Sequence, residues 1–455
     1  MKLLKKSNFH GGIHPADGSD KILSNQQPIR ILNPETVEIS MKQSAGSVCK
    51  AIVKEGDQVS LGQLIAESSG FGSANIHASI SGKVTEIRKT KDEQSNEVEV
   101  VVIQSSENMV DHTTSKTMAY QNRILDISGI TKEEIITSMK EGGLIGLGGA
   151  GFPTHVKYET PKPIKYVLIN AAECEPYLTC DHRLMLEYGY EILNGIQLLI
   201  KAAGAKMAYL CLEDNKEDAA NHLQQLLEGQ DLPVELVLLH TKYPQGGERQ
   251  LVDAVIKKEI PAGSLPADIG VIINNVGTAK AMADIMFTKT PLIARCITVT
   301  GKVKNPGNFY VPIGTPYATL IHEAGGFTTK NNRVIIGGPM TGNSIMIGGE
   351  LTHLEGSVSK TSSGLLVLED YSLIESPCIR CGECERVCPA GLAPFKIDFA
   401  AIEDNINLCE KLYATECISC GSCSYVCPAN RELAYRITVA KTEIFNLRRE
   451  KGGKR

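Results

Sequence analysis

Eight cysteines in two matching runs constrain this chain more than any other feature. Cys378-x2-Cys381-x2-Cys384-x3-Cys388-Pro389 recurs as Cys417-x2-Cys420-x2-Cys423-x3-Cys427-Pro428. A [4Fe–4S] cube needs four thiolates, three of which can come from one tight loop and the fourth from elsewhere in the chain. Structural zinc also uses four thiolates. Zinc sites usually show two separated C-x2-C pairs, whereas here the three-plus-one spacing with a trailing proline occurs twice. The chain holds 14 cysteines, nine of them between Cys378 and Cys427. Disulfides are unusual in a reducing cytoplasm, so such clustering points to metal.

In two-cluster ferredoxins the fourth cysteine of each run ligates the other run's cluster. By that rule one cluster takes Cys378, Cys381, Cys384 and Cys427, and the second takes Cys417, Cys420, Cys423 and Cys388. The intervening FKIDFAAIEDNINLCEKLYA reads as helix, with Cys409 packing inside it as a small apolar residue. Two paired clusters imply single-electron transfer over a short wire. Cys174 and Cys180 lack C-x2-C spacing and read as packing residues.

At 455 residues the chain has room for several domains. A formal net charge of −5 argues against nucleic acid as the main partner. No run of 18 apolar residues is present. The start, MKLLKKSNFHGGIHP, lacks the apolar core of a signal peptide, so a cytoplasmic location is expected. Composition shifts divide the chain into a β-rich segment (1–110), an α/β segment (120–295), a small α+β module (296–365), the cysteine module (370–440) and a basic, frayed tail (441–455). SSENMVDHTTSKT reads as a linker. In the α/β segment YVLINA, MAYLCLE, VELVLLH and DIGVIINN read as strands. ITKEEIITSMKEGG and RQLVDAVIKKE read as helices, and LMLEYGYEILNGIQLLIKAAG as one long amphipathic helix. The expected fold is therefore multidomain α/β.

Within that segment GLGGAG (146–151) fits the G-x-G-x-x-G pattern of a dinucleotide site. A Rossmann site needs a strand before the glycines and a helix opening at them. Here the approach is helical and Pro153 follows, so that context fails. Glycine-dense backbone can instead approach phosphates closely with its N–H groups, and Lys157 can supply a compensating charge.

Several longer stretches carry resemblances. VKEGDQVSLGQLIAE and ASISGKVTEI resemble the barrel-sandwich fold of biotinyl and lipoyl carriers, but the hairpin SSGFGSANIH has no carrier lysine, which leaves a structural or docking module. CITVTGKVKNPGNFYVPIGTPYATLIHEAGGF resembles the soluble-ligand-binding β-grasp domain, with a helix over Tyr317–Ala324. GLGGAGFPTHVK, NAAECEPYLTCDHRLM, YPQGGERQLVDAV and INNVGTAKA resemble, in order, motifs of the flavin-binding subunit of respiratory complex I. With FHGGIHP and the duplicated cysteine run, the whole chain resembles the family of C subunits of the Rnf electron-transport complex.

The resemblance implies an NADH-dependent flavin and iron–sulfur oxidoreductase holding FMN and two [4Fe–4S] clusters. It would be a peripheral subunit on the cytoplasmic side of the membrane, with integral membrane and flavin subunits as partners and ferredoxin as an indirect one. By position Gly146, Gly148, Gly149, Gly151 and Lys157 would cradle the flavin phosphate. Glu173, Glu175 and Tyr177 would border the ring or the nicotinamide. Asn170, Asn274, Asn275 and Thr278 would hydrogen-bond FMN, Phe152 would stack on the dinucleotide, and Glu248 would be a wall residue. No side chain is expected to act as nucleophile or general acid, because the cofactors carry the chemistry. The sequence departs from the complex I pattern at Leu147 (commonly arginine), Cys174 (glycine) and Gly277 (glutamate). A soluble flavin/iron–sulfur reductase serving a cobalamin or amino-acid reductase system is the alternative reading. An electron carrier that binds no nucleotide is another.

Overall fold

The computed structural model describes residues 4–15, 21–91, 97–105, 122–330, 332–347, 351, 354–369 and 374–452. Beyond Ser105, the expected linker lies outside them. The α/β unit is built on a five-stranded parallel sheet in the order Leu4–Ser7, Val234–Leu239, Met207–Glu213, Tyr166–Ala171, Val271–Asn275. Side chains alternate across a strand, and the sheet is apolar on both faces. Val167, Ile169 and Ala171 enter one core, Leu168 and Ala172 the other. Helices cover both faces, as a parallel sheet requires.

The expected long helix is two. Cys180–Glu187 ends at Tyr188, and Gly189–Ala203 begins immediately after it. The second helix is not amphipathic in use but buried almost all round. On one side Gly195 meets the Val276–Ala283 helix so closely that a Cβ would lie 1.8 Å from the Ala279 carbonyl oxygen. Asn194 and Gln197 would otherwise need water. They donate instead to the backbone carbonyls of Arg123 and Leu125, both at 2.9 Å. The segment entering the domain thus covers the polar side.

The barrel-sandwich packs a sheet of Thr36–Ser40, Glu97–Ser105, Gly82–Lys91 and Gln58–Val59 on a smaller one of Lys50–Ala51, Leu64–Glu67 and Ile76–His77. Val37, Ile39, Ile65, Ile76, Val101 and Ile103 fill the space between them. The β-grasp unit wraps its sheet around the helix Tyr317–Glu323. In the cysteine module the expected single helix breaks at Asp404, which has φ +50°, into Pro394–Ile402 and Ile406–Lys411. Cys409 is fully buried there. The tail expected to fray is instead helical from Leu433 to Gly452.

The strands nearest the amino terminus pair outside the barrel-sandwich. Leu4–Ser7 completes the edge of the α/β sheet, Ile13 bridges to Tyr243, and Arg30–Ile31 adds a strand to the β-grasp sheet beside Gly307–Pro312. A 1–110 domain boundary cannot register such pairing, because strand partners are set by non-local packing rather than by local pattern.

Lys360 bolts three units together. Its fully buried amine donates to the carbonyls of Asn75 (barrel-sandwich) and Gly143 (α/β unit), both at 2.7 Å. Burial pushes its pKa down to about 7. Between about pH 7 and the ordinary lysine value, the unfolded chain holds a proton that the folded one has released, so stability rises with pH across that window. Replacing Lys360 with Met should flatten that slope, read as melting temperature against pH from about 7 to 9.5 in variant and wild type.

Candidate nucleotide cradle and paired cysteine sites

Strands Tyr166–Ala171 and Val271–Asn275 run side by side, with Ile169 opposite Asn274 and Asn170 opposite Asn275. Ligands of open parallel sheets bind beyond such carboxyl ends, and the glycine loop sits over this edge. Gly148, Gly149 and Ala150 are exposed, while Gly151 is buried. Gly149 has φ +108° with open space where a Cβ would stand, and Gly148 would bring a Cβ within 3.4 Å of Asn275. The loop is held from below: Leu147 N–H donates to Thr278 Oγ1 at 3.0 Å, and Gly146 N–H donates to the Phe152 carbonyl at 2.9 Å. Leu147 itself is buried in the main core.

The polar side chains around this edge are largely bonded to the chain itself. Asn275 caps the helix Val276–Ala283 by accepting from Gly277 N–H at 2.8 Å, and donates to Asp181 at 2.7 Å. Asn274 donates to Tyr158 Oη at 2.6 Å, and Asn170 to the Gly246 carbonyl at 2.8 Å. Lys157 Nζ donates to the Ile273 carbonyl at 2.9 Å and lies 3.7 Å from Glu248, the first residue of the helix Glu248–Ile256. Phe152 is half-buried and meets the ring of Phe71 edge-on.

The Glu173–Leu178 turn takes left-handed backbone at Glu173 and Tyr177. Glu173 accepts from the N–H groups of Asp181 (2.7 Å) and His182 (3.3 Å) at the start of the Cys180–Glu187 helix. Desolvation raises its pKa to about 7 against the pull of Lys21. Glu175 turns the other way, accepting from Met340 N–H at 3.1 Å and Thr341 Oγ1 at 2.5 Å. Lys21 holds the whole turn, its amine donating to the carbonyls of Glu173, Glu175 and Leu178 at 2.8, 3.0 and 2.6 Å. Lys216 supports the preceding carbonyl, Ala172, at 2.7 Å. Sequence reasoning misses both lysines. Neither lies in a recognisable motif, and Lys21 is more than 150 positions from its partners.

The cysteines assemble into two quartets. One cavity is lined by Cys378, Cys381, Cys384 and Cys427, the other by Cys388, Cys417, Cys420 and Cys423. Each draws three thiols from one run and one from the other, a donor set that fits one [4Fe–4S] cube per cavity. Their surroundings differ. Around the first, Cys381 is exposed and Ile379 is 70% exposed. The second lies against the α/β unit: Tyr243 Oη donates to the Cys420 carbonyl at 2.7 Å, and Ile13, Tyr243 and Val387 form an apolar patch with Cys174, Met340, Cys420 and Val426. Gln245, in the same segment as Tyr243, is fully buried, and neither side-chain amide atom has a partner among the described residues. Such an orphan fits a site that receives a polar ligand.

This arrangement defines an electron-transfer protein in which a glycine-loop nucleotide unit abuts a two-cluster module. Family models agree unit by unit. Residues 7–108 match the RnfC barrel sandwich hybrid domain, 139–284 the Nuo51 FMN-binding domain, 296–344 the SLBB domain and 377–431 the 4Fe-4S dicluster domain. The C subunit of the Na(+)-translocating ferredoxin:NAD(+) oxidoreductase complex of Acetobacterium woodii is 40% identical, over 98% of this chain and 99% of that protein. The proton-translocating counterpart of Clostridium ljungdahlii is 37% identical over 87% and 85%. The C subunit of the ion-translocating oxidoreductase complex of Vibrio cholerae is 35% identical over 90% of this chain and 52% of that longer protein. The chain belongs to this family of C subunits. It is accordingly an oxidoreductase component, with an FMN-binding domain and a 4Fe-4S dicluster domain. A chain of an NAD+-reducing [NiFe]-hydrogenase in the H2-reduced state aligns at TM-score 0.48 with 20% identity, over 69% of this chain and 61% of that one, too loosely to bear on function. No described helix is long and apolar enough to cross a membrane.

Behind the first quartet lies a buried ion-pair network. Asp398 accepts from Arg431 at 2.6 and 2.9 Å and from Arg436 at 2.9 Å, and both arginines reach Glu375. Arg431 also lines the first cavity. Removing one member of a buried pair leaves an uncompensated charge, at a cost of about 3–5 kcal/mol. Because Glu375 remains, Asp398→Ala should fall at the lower end, about 3 kcal/mol, read by urea unfolding of the reconstituted protein under anaerobic conditions.

Proposed function

We propose that this chain is the peripheral NADH-handling subunit of a membrane-bound, ion-translocating ferredoxin:NAD oxidoreductase, docked on the cytoplasmic side of its integral membrane and flavin subunits. Ferredoxin is reached only through those partners. When bound, FMN supplies the exchange between two-electron hydride transfer with NAD(H) and the one-electron steps of the iron–sulfur clusters.

The chain's own residues bind and orient. Gly148 and Gly149, in the exposed stretch to Ala150, offer backbone to a phosphate, while Gly146, bonded to Phe152, and the buried Gly151 shape the loop, and Lys157 adds positive charge at the end of the Val271–Asn275 strand. Glu173 and Tyr177 lie in the turn that Lys21 fixes, on the ring side of the cradle. Asn170, Asn274, Asn275 and Thr278 act chiefly by holding the strand ends and the loop in place, since their amides and hydroxyl already have partners within the chain. Glu248 sets the position of Lys157. Cys388, Cys417, Cys420 and Cys423 hold the inner cluster, against the nucleotide unit. Cys378, Cys381, Cys384 and Cys427 hold the outer one, facing the partners. The observation that carries this reading is the asymmetry of the two quartets, one packed on Tyr243 and Cys174 and the other open at Cys381.

Two measurements on anaerobically purified, reconstituted protein test it. Gly149→Asp places a carboxylate on left-handed backbone in the cradle and should lose FMN while keeping full iron and sulfide. Unchanged flavin content in that variant would sink the cradle assignment. Cys381→Ser should leave an NADH-reducible cluster signal in electron paramagnetic resonance, whereas Cys388→Ser should abolish reduction by NADH of the remaining cluster. The opposite pattern would reverse the inner and outer assignments.

A further inference from the structure

Phe71 stands at the tip of the turn joining strands Leu64–Glu67 and Ile76–His77 of the barrel-sandwich, where the carrier domains this unit resembles present their lysine. It is 80% exposed, on backbone that the surrounding chain holds in place. The turn is pinned from three sides. Gly46 N–H donates to the Gly72 carbonyl at 2.8 Å, Ser47 N–H to the Phe71 carbonyl at 3.4 Å, and Ser69 N–H to Ser73 Oγ at 2.9 Å. Gly46 is needed for this fit, since a Cβ there would lie 2.1 Å from the Phe71 carbonyl oxygen.

The same run of hydrogen bonds fixes the turn to the glycine loop. Ala45 N–H donates to the Gly151 carbonyl at 3.0 Å, so the backbone that positions Phe71 also bonds the last glycine of the cradle. Phe152 follows that glycine, and its ring meets the Phe71 ring at a centroid distance of 6.1 Å and an interplanar angle of 64°. An edge-on pair leaves broad ring surface free on its exposed member. The two rings, one from each domain, form an aromatic corner next to Gly151, the last glycine of the loop.

We propose that Phe71 is a binding residue of the dinucleotide site, and that it stacks on the purine of the nicotinamide dinucleotide against Phe152. This rests on the cradle reading under Proposed function and extends it across a domain boundary. A purine fits the chemistry of the corner: a large flat π-system gains from stacking on an aromatic ring without needing directional hydrogen bonds. It also fits the position. The nicotinamide end must reach the ring side of the cradle near the Glu173 turn, which leaves the purine, at the far end of the dinucleotide, for the outer rim. The barrel-sandwich would then contribute a wall of the substrate site in place of a covalent carrier arm.

The test is equilibrium binding by calorimetry on the full-length, FMN- and cluster-loaded protein. ADP-ribose serves as a ligand with the purine, and nicotinamide mononucleotide as one without it. Phe71→Ala should weaken ADP-ribose about tenfold, within the range expected for loss of one base stack. It should leave nicotinamide mononucleotide affinity, FMN content, iron content and melting temperature as in wild type, and Phe71→Trp should restore ADP-ribose affinity. ADP-ribose affinity unchanged in Phe71→Ala overturns the proposal while leaving the cradle reading intact. Equal weakening of both ligands overturns it as well, since it assigns Phe71 to general loop order. Wild-type protein that retains no FMN and binds neither ligand overturns both readings.

Discussion

The structure depends on the close approach of backbone at Gly11 and Gly12. Both residues have left-handed φ, +75° and +77°. A Cβ on Gly11 would lie 2.8 Å from the Cys388 carbonyl oxygen, and one on Gly12 would lie 2.6 Å from that of Tyr243. Gly12 N–H donates to Val387, and Ile13 exchanges hydrogen bonds with Tyr243 in both directions. One short stretch therefore sits between the nucleotide unit and the loop carrying a cluster cysteine, touching the main chain of each. No residue with a side chain could occupy that gap without moving the two units apart. The FHGGIHP motif is explained by this wedge: its glycines set the spacing between the units.

The cradle follows a related logic of preorganisation. Its side chains mostly bond inward, so what faces a ligand is main chain and a few fixed charges. Two lysines, the half-buried Lys21 and the buried Lys216, are committed to carbonyls of the 172–178 turn. A turn with two left-handed non-glycine residues stores strain that surrounding structure must overcome, and three hydrogen bonds from one amine do that here. Donors already oriented before a ligand arrives need no reorganisation when it does.

How much can be read from the residues alone varies with the range of the interaction. The cysteine runs are legible because their chemistry is local: three thiols per loop announce themselves by spacing. The strands YVLINA and DIGVIINN are legible because their apolar runs are short and bounded. The extra pairing of residues 4–7 and 30–31 is not, since two- and four-residue strands carry no period and their partners lie hundreds of positions away. The helix break at Tyr188 has one local mark, Gly189, but a single glycine inside an otherwise periodic run is often tolerated and does not by itself end a helix. Asn274 and Asn275 are legible as polar groups near the site, but only the fold reveals that Tyr158 and Asp181 already occupy them. Phe71 reads in sequence as part of a hairpin without its carrier lysine, and the ring it meets lies 81 positions further along a different unit.

The placement of the first strand has a consequence for how the polypeptide comes into being. Among the described residues Leu4–Ser7 pairs only with Val234–Leu239, and Arg30–Ile31 only with Gly307–Pro312. During synthesis these two strands leave the ribosome before their partners, which emerge more than two hundred residues later, after the barrel-sandwich can already have closed. Contacts so distant in sequence form slowly because the intervening loop must be ordered before they reward it. Residues 4–7 and 30–31 thus wait for strands made long after them, and the glycine wedge that joins nucleotide unit to cysteine module can close only once Val387 has emerged.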